Sequence, residues 1–234
     1  MEQKYPEAEM LPAFPFLAEK NHRISLVGAG GKTTLMYAMA EAYCQRGCKV
    51  LVTTTTHIKR PADEYRAKSP GEAMALWQKR RFAVAGEDAP EGKLKGLETA
   101  RLKEFMAGAD IVLIEADGAK GRPCKVPASH EPVLLEESDI VIGVAGMDSI
   151  GRPLKEVCFR LEQAEAFLRK EQTECLTEED LTEILSSSEG TRKGVGDRGY
   201  YVILNKASDE RRRQSAKRIA ALLKSRGIEN VGIT

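Results

Sequence analysis

One stretch of the chain restricts its fold more than any other: Arg23-Ile24-Ser25-Leu26-Val27-Gly28-Ala29-Gly30-Gly31-Lys32-Thr33-Thr34. A short strand-forming run enters a glycine turn, and the turn leads into a lysine, two threonines and a helical pattern. Glycines let backbone N–H groups converge at φ/ψ values that other residues avoid, and a helix starting there adds partial positive charge. The pattern predicts a strand, a phosphate-cradling loop and a helix in direct succession. Gly28, Ala29, Gly30, Gly31, Lys32, Thr33 and Thr34 are the expected nucleotide-binding residues, with the amides of Gly28 to Lys32 as the cradle. Lys32 can reach the β- and γ-phosphates, and the Thr33 hydroxyl can ligate Mg²⁺. The bland alternative is an ordinary glycine turn carrying a solvated lysine.

The loop is a short one. The spacing Gly-x-x-x-x-Gly-Lys-Ser/Thr would need glycine where this chain has Leu26, whereas Gly28-x-x-Gly31-Lys32-Thr33-Thr34 is complete. In this form it resembles the loop of ATP-dependent amide ligases of the Mur and folylpolyglutamate type. A chain of 234 residues can bury the core that such a loop requires. A single domain over 1–234 is expected, with a less regular elaboration at about 58–109. The 36 Lys and Arg nearly balance the 35 Asp and Glu, which argues against bulk attraction to nucleic acid or membrane surfaces. No apolar segment approaches membrane-spanning length. Met1 to Lys20 lacks the basic start and apolar centre of a secretory signal, so a cytoplasmic protein is expected. Five scattered cysteines without a CxxC fit reduced thiols. Cys44 and Cys48 share a helical face, but no second pair completes a four-ligand metal site.

Strand and helix patterns alternate along the chain, which points to an α/β fold with a mostly parallel sheet and helices on both faces. The expected strands begin near residues 23, 49, 82, 110, 139, 200 and 230, and the expected helices near 32, 71, 98, 177 and 209. Ligands in such sheets sit at the carboxyl ends of strands, and the unusual clusters of this chain fall there. Val112-Leu113-Ile114-Glu115 is an apolar strand ending in acid, with Asp117 two residues on. Either acid could face the metal while the other orients an attacking water. Thr53-Thr54-Thr55-Thr56 leads to His57, a candidate for contacting the γ-phosphate or a second substrate. Asn205-Lys206-Ala207-Ser208-Asp209 is similar to the guanine-reading motif of GTPases. Ser208 stands where a bidentate carboxylate is needed, which leaves ATP or GTP open, and Asp209 is free to cap the last helix.

These segments together resemble the YqeC family, accessory proteins of selenium-dependent hydroxylases. The resemblance is carried by Val27 to Leu35, by Val50-Leu51-Val52-Thr53-Thr54-Thr55-Thr56-His57-Ile58 and by Glu115 through Pro132. Gly143 to Gly151 and Leu204-Asn205-Lys206 extend it. It implies a cytosolic P-loop NTPase-like protein tied to maturation of a molybdenum hydroxylase, its client. The family pattern places a histidine before Arg160 where this chain has Phe159, so only Arg160 remains there as a phosphate or partner contact. The loop after Asp117 carries Lys120, Arg122, Lys125 and His130 and is stiffened by Pro123, Pro127 and Pro132. It reads as a binding loop for a small anionic substrate or as a mobile switch. The expected function is Mg²⁺-dependent binding of ATP or GTP with hydrolysis or transfer of the γ-phosphate. A kinase-like or ligase-like enzyme with its acceptor on Lys125 and His130, and a non-hydrolysing assembly switch, are the alternatives.

Overall fold

A computed structural model of the chain describes residues 14–234, so most of the Met1 to Lys20 stretch read for a signal lies outside the described residues. The chain opens with β1 (His22–Gly28), α1 (Lys32–Gln45) and β2 (Val50–Thr54). The elaboration follows as β3 (His57–Lys59), α2 (Pro70–Gln78), β4 (Ala83–Val84), β5 (Glu87–Ala89), β6 (Lys93–Lys95) and α3 (Thr99–Met106). Then come β7 (Ile111–Glu115), β8 (Cys124–Lys125), β9 (Ile140–Gly146), α4 (Leu154–Val157), β10 (Cys158–Phe159) and α5 (Leu161–Leu168). The chain closes with α6 (Glu178–Ser186), β11 (Gly199–Asn205), α7 (Glu210–Ser225) and β12 (Val231–Ile233).

Seven strands form one sheet in the order β12-β11-β9-β1-β7-β2-β4, and every pairing in it is parallel. The expected α/β class holds, with the glycine loop leaving β1 inside the sheet, between β9 and β7. The reason lies in the apolar strand runs. On one face Ile24, Leu26, Val50, Val52, Ile111 and Leu113 pack with Leu35, Met36 and Met39 of α1. The alternate residues Leu51, Val112 and Ile114 turn to the other face and meet α2 and α3 through Trp77, Leu102 and Phe105. Strands buried on both faces must be apolar throughout, as these are. Helix starts follow local chemistry: Thr177 and Asp180 close a reciprocal capping box on α6, and Asp209 caps α7 through the Arg212 amide at 2.9 Å. No described helix is long and apolar enough to cross a membrane.

The elaboration is more ordered than its sequence suggested. β3, β6 and β5 form a separate antiparallel sheet, in that spatial order. Its strands have three residues each, too few for alternation to stand out from the background. Ile58 and Leu94 stand opposite one another and are buried against the main core, which pins this small sheet over the tip of β2. The second addition is the parallel pair β8 and β10, which ties the loop after β7 to the segment entering α5.

Candidate functional site

The glycine loop leaves β1 between β9 and β7, so its path is set by backbone on both sides. Gly30 (φ +83°) lies so close to β9 that a Cβ would stand 2.1 Å from the Gly146 nitrogen. Only glycine fits there. Gly31 (φ 110°) is left-handed and serves as the N-cap of α1. Three loop amides are already committed: Gly28 to Asp117 Oδ2 at 3.0 Å, Ala29 to the Val144 carbonyl at 2.8 Å and Gly30 to the Arg122 carbonyl at 3.1 Å. This corrects the expected cradle of Gly28 to Lys32. The amides of Gly31, Lys32, Thr33 and Thr34 are the ones with no acceptor among the described residues. They are the N-terminal donors that every helix leaves unsatisfied. Here they open onto a cleft of about 720 Å³.

The two acids at the end of β7 have separate partners. Thr33 Oγ1 donates to Glu115 Oε2 at 2.6 Å. Glu115 is buried, and burial, reinforced by the nearby Asp117 charge, lifts its carboxyl above the ordinary range against the pull of Lys32, Thr33 and Lys125. Asp117 faces the other way. Its Oδ1 lies 3.0 Å from Lys32 Nζ, without a well-directed hydrogen bond, and its Oδ2 lies 3.0 Å from Lys125 Nζ. Lys125 is 3.0 Å from Glu131, and Glu131 takes two hydrogen bonds from Arg160 at 2.9 and 3.0 Å. Charges therefore alternate from the glycine loop to the cleft wall: Lys32, Asp117, Lys125, Glu131, Arg160. Burial alone would raise the Glu131 carboxyl. The hydrogen bonds from Arg160, the Ala128 amide and Lys125 outweigh burial and hold it at about 2.

Among the described residues no group of three or more His, Cys, Asp or Glu is arranged to hold a metal. Mg²⁺ does not need one, because it is commonly held by one or two protein oxygens together with phosphates and water. The adjoining Thr33 hydroxyl and Glu115 carboxylate suit that requirement. The four cysteines Cys44, Cys48, Cys124 and Cys158 are buried thiols.

The remaining sequence candidates divide. Lys120, Arg122, His130, Arg160 and the exposed His57 all line the cleft. Lys125 does not, because its side chain is wholly buried between Asp117 and Glu131. An acceptor cannot rest on it as expected; its ammonium group is enclosed by carboxylates and the Gly118 carbonyl. Asn205, Lys206 and Asp209 lie apart from the cleft lining. Asn205 Nδ2 donates to the Gly30 carbonyl at 2.8 Å, which makes it a brace for the loop. Lys206 pairs with Asp148 at 2.8 Å, and Asp209 is spent on the α7 cap. Sequence reasoning missed Glu131, Lys59 and Lys93, which also line the cleft. Glu131 had a signal, an acid beside the candidate His130 in a proline-stiffened loop; the two lysines sit on strands too short to show one.

The sequence model of the YqeC protein family matches residues 24–162. "Uncharacterized protein YqeC" from Escherichia coli (strain K12) is 36% identical over 135 residues, which cover 55% of this chain and 53% of that protein. The chain thus spans about half the length of the curated relative it matches. Among solved structures, the hydrogenase maturation factor HypB from Archaeoglobus fulgidus aligns over 95% of this chain and 84% of its own, at 12% identity and a TM-score of 0.47.

Proposed function

The chain belongs to the YqeC protein family, and on that premise and the geometry of its phosphate loop we propose that it binds a magnesium nucleoside triphosphate and cleaves the γ-phosphate. The observation that carries this reading is the set of four uncommitted amides at Gly31 to Thr34, opening onto the same cleft as Lys32 and the Thr33–Glu115 pair. Oxyanions are bound by such donors at a helix N-terminus. Bound Mg²⁺ would supply positive charge against the β- and γ-phosphates, held by Thr33 and Glu115. The amides orient the phosphate chain. Lys32 exchanges Asp117 for phosphate oxygens, and Asp117, still paired with Lys125, keeps the loop in shape through the Gly28 amide. Catalysis of this kind is mainly positioning and electrostatic stabilisation.

The wider role proposed for the chain is that of a cytoplasmic accessory factor in maturation of a selenium-dependent molybdenum hydroxylase, its client. The support for that role is the resemblance set out above, and no residue of the site is specific for selenium. Calorimetric titration of Mg–ATP and of Mg–GTP into the wild type and Lys32→Ala tests the core of the proposal. One nucleotide should bind the wild type, and the variant should lose roughly 100-fold in affinity, about 2.7 kcal/mol, with an unchanged circular dichroism spectrum. Equal affinity in the two proteins would remove the assignment. A client that leaves the hydrolysis rate unchanged would remove the accessory role.

A further inference from the structure

The small antiparallel sheet has a face that the phosphate site does not use. Burial of Ile58 and Leu94 forces the neighbouring residues outward, so His57, Lys59, Lys93 and Lys95 share the opposite face. Lys59 stands directly across from Lys93, and His57 directly across from Lys95. Like charges paired across antiparallel strands are destabilising. Glu87 answers Lys95 at 3.1 Å, and Glu91 answers Lys93 at 2.6 Å. Lys59 has no acidic partner among the described residues.

Three residues of this face, His57, Lys59 and Lys93, line the cleft, and so do Lys120, Arg122 and Arg160 from the segments around β8 and β10. Lys120 also lacks an acidic partner among the described residues, and its Nζ lies 5.7 Å from the centre of the Phe159 ring. Arg160 is the fixed member of the group. Glu131, 6% exposed and anchored on Lys125, holds its Nε and Nη2 and leaves the guanidinium at the cleft wall. The lining contains six Lys or Arg and three Glu, and two of those acids are already engaged by Thr33 and by Arg160 with Lys125. The positive charge extends well beyond the amides of α1.

We propose that the outer part of the cleft, lined by Lys59, Lys93, Lys120 and Arg160, is a separate site for a small polyanion bearing phosphate or carboxylate groups. In an enzyme of the kind proposed above, on which this role rests, that polyanion is the second substrate. Arginine held by a carboxylate presents its remaining N–H groups in a fixed fork suited to such oxyanions. The lysines add point charge and shape the entrance.

The test uses the full chain with its phosphate loop filled by a saturating Mg complex of a non-hydrolysable triphosphate analogue. Pyrophosphate and citrate are titrated separately, as the phosphate and carboxylate probes. One further equivalent of at least one probe should bind, and Lys59→Ala/Lys93→Ala should weaken it at least tenfold while changing analogue affinity less than twofold. The better probe identifies the chemistry. Absence of a second equivalent overturns the proposal, as does a second equivalent indifferent to both lysines. Equal weakening of the analogue also overturns it, since the lysines would then serve the triphosphate. If the analogue itself fails to bind, the nucleotide reading falls separately. The same probes added to Lys32→Ala then judge the outer site alone, by whether one lysine-dependent equivalent remains.

Discussion

Replacing Glu131 by glutamine tests whether the buried charge chain holds the site together. The folded protein keeps this carboxyl at about 2, against an ordinary value of 4.5. At about 1.4 kcal/mol per tenfold change in ionisation, that gap corresponds to roughly 3 kcal/mol of stability. Arg160, the outer partner, has a side chain 29% exposed, and screening there reduces the expected figure to about 2 kcal/mol. The sign follows from the direction. A carboxyl depressed on folding contributes its stability above its ordinary value, and loses it as pH falls toward its folded value. Urea unfolding followed by the fluorescence of Trp77, the single tryptophan, buried under α3, measures the difference. Glu131→Gln should be about 2 kcal/mol less stable than the wild type from pH 7 to 5.5. The gap should narrow as the wild type loses its advantage, and roughly two-fifths of it should be gone by pH 3.5. A gap that is absent at pH 7, or constant down to pH 3.5, would refute the reasoning.

Other perturbations probe neighbouring links. Lys125→Met leaves Asp117 and Glu131 buried without their shared cation, so a loss of about 3–5 kcal/mol is expected, read as a fall in Tm of roughly 6–20 °C. Gly30→Ala forces a Cβ against the β9 backbone at a positive φ, and should cost more than about 2 kcal/mol in urea unfolding while abolishing nucleotide binding. Thr33→Val removes the hydroxyl beside Glu115, and should weaken Mg-dependent triphosphate binding in calorimetry while costing about 1–3 kcal/mol in urea unfolding, because the buried carboxyl loses its hydrogen-bond donor.

Much of the fold was legible because its signals are local. The glycine turn followed by Lys32, the apolar run ending at Glu115 and the capping chemistry at Thr177 and Asp209 each act within a few residues, and each lies where its pattern indicated. The small sheet of β3, β5 and β6 was not legible, because three-residue strands carry too little alternation to separate them from a loop. Lys125 was misjudged for a different reason. A lysine in a proline-rich loop looks solvated unless the acids that will enclose it are known.

The sequence by itself determined that a strand, an anion-binding turn and a helix follow one another, and that acids and cations gather at strand ends. The division of labour among them was decided by the tertiary structure. Sheet order sets β7 beside β1, so that Thr33 meets Glu115 and Lys32 meets Asp117, and pairing of β8 with β10 brings Lys125 to the segment carrying Arg160. Coulomb and hydrogen-bond energies depend on distances of a few ångströms. Between residues 32, 117, 125, 131 and 160 those distances are a property of the packed sheet and of no local pattern in the chain.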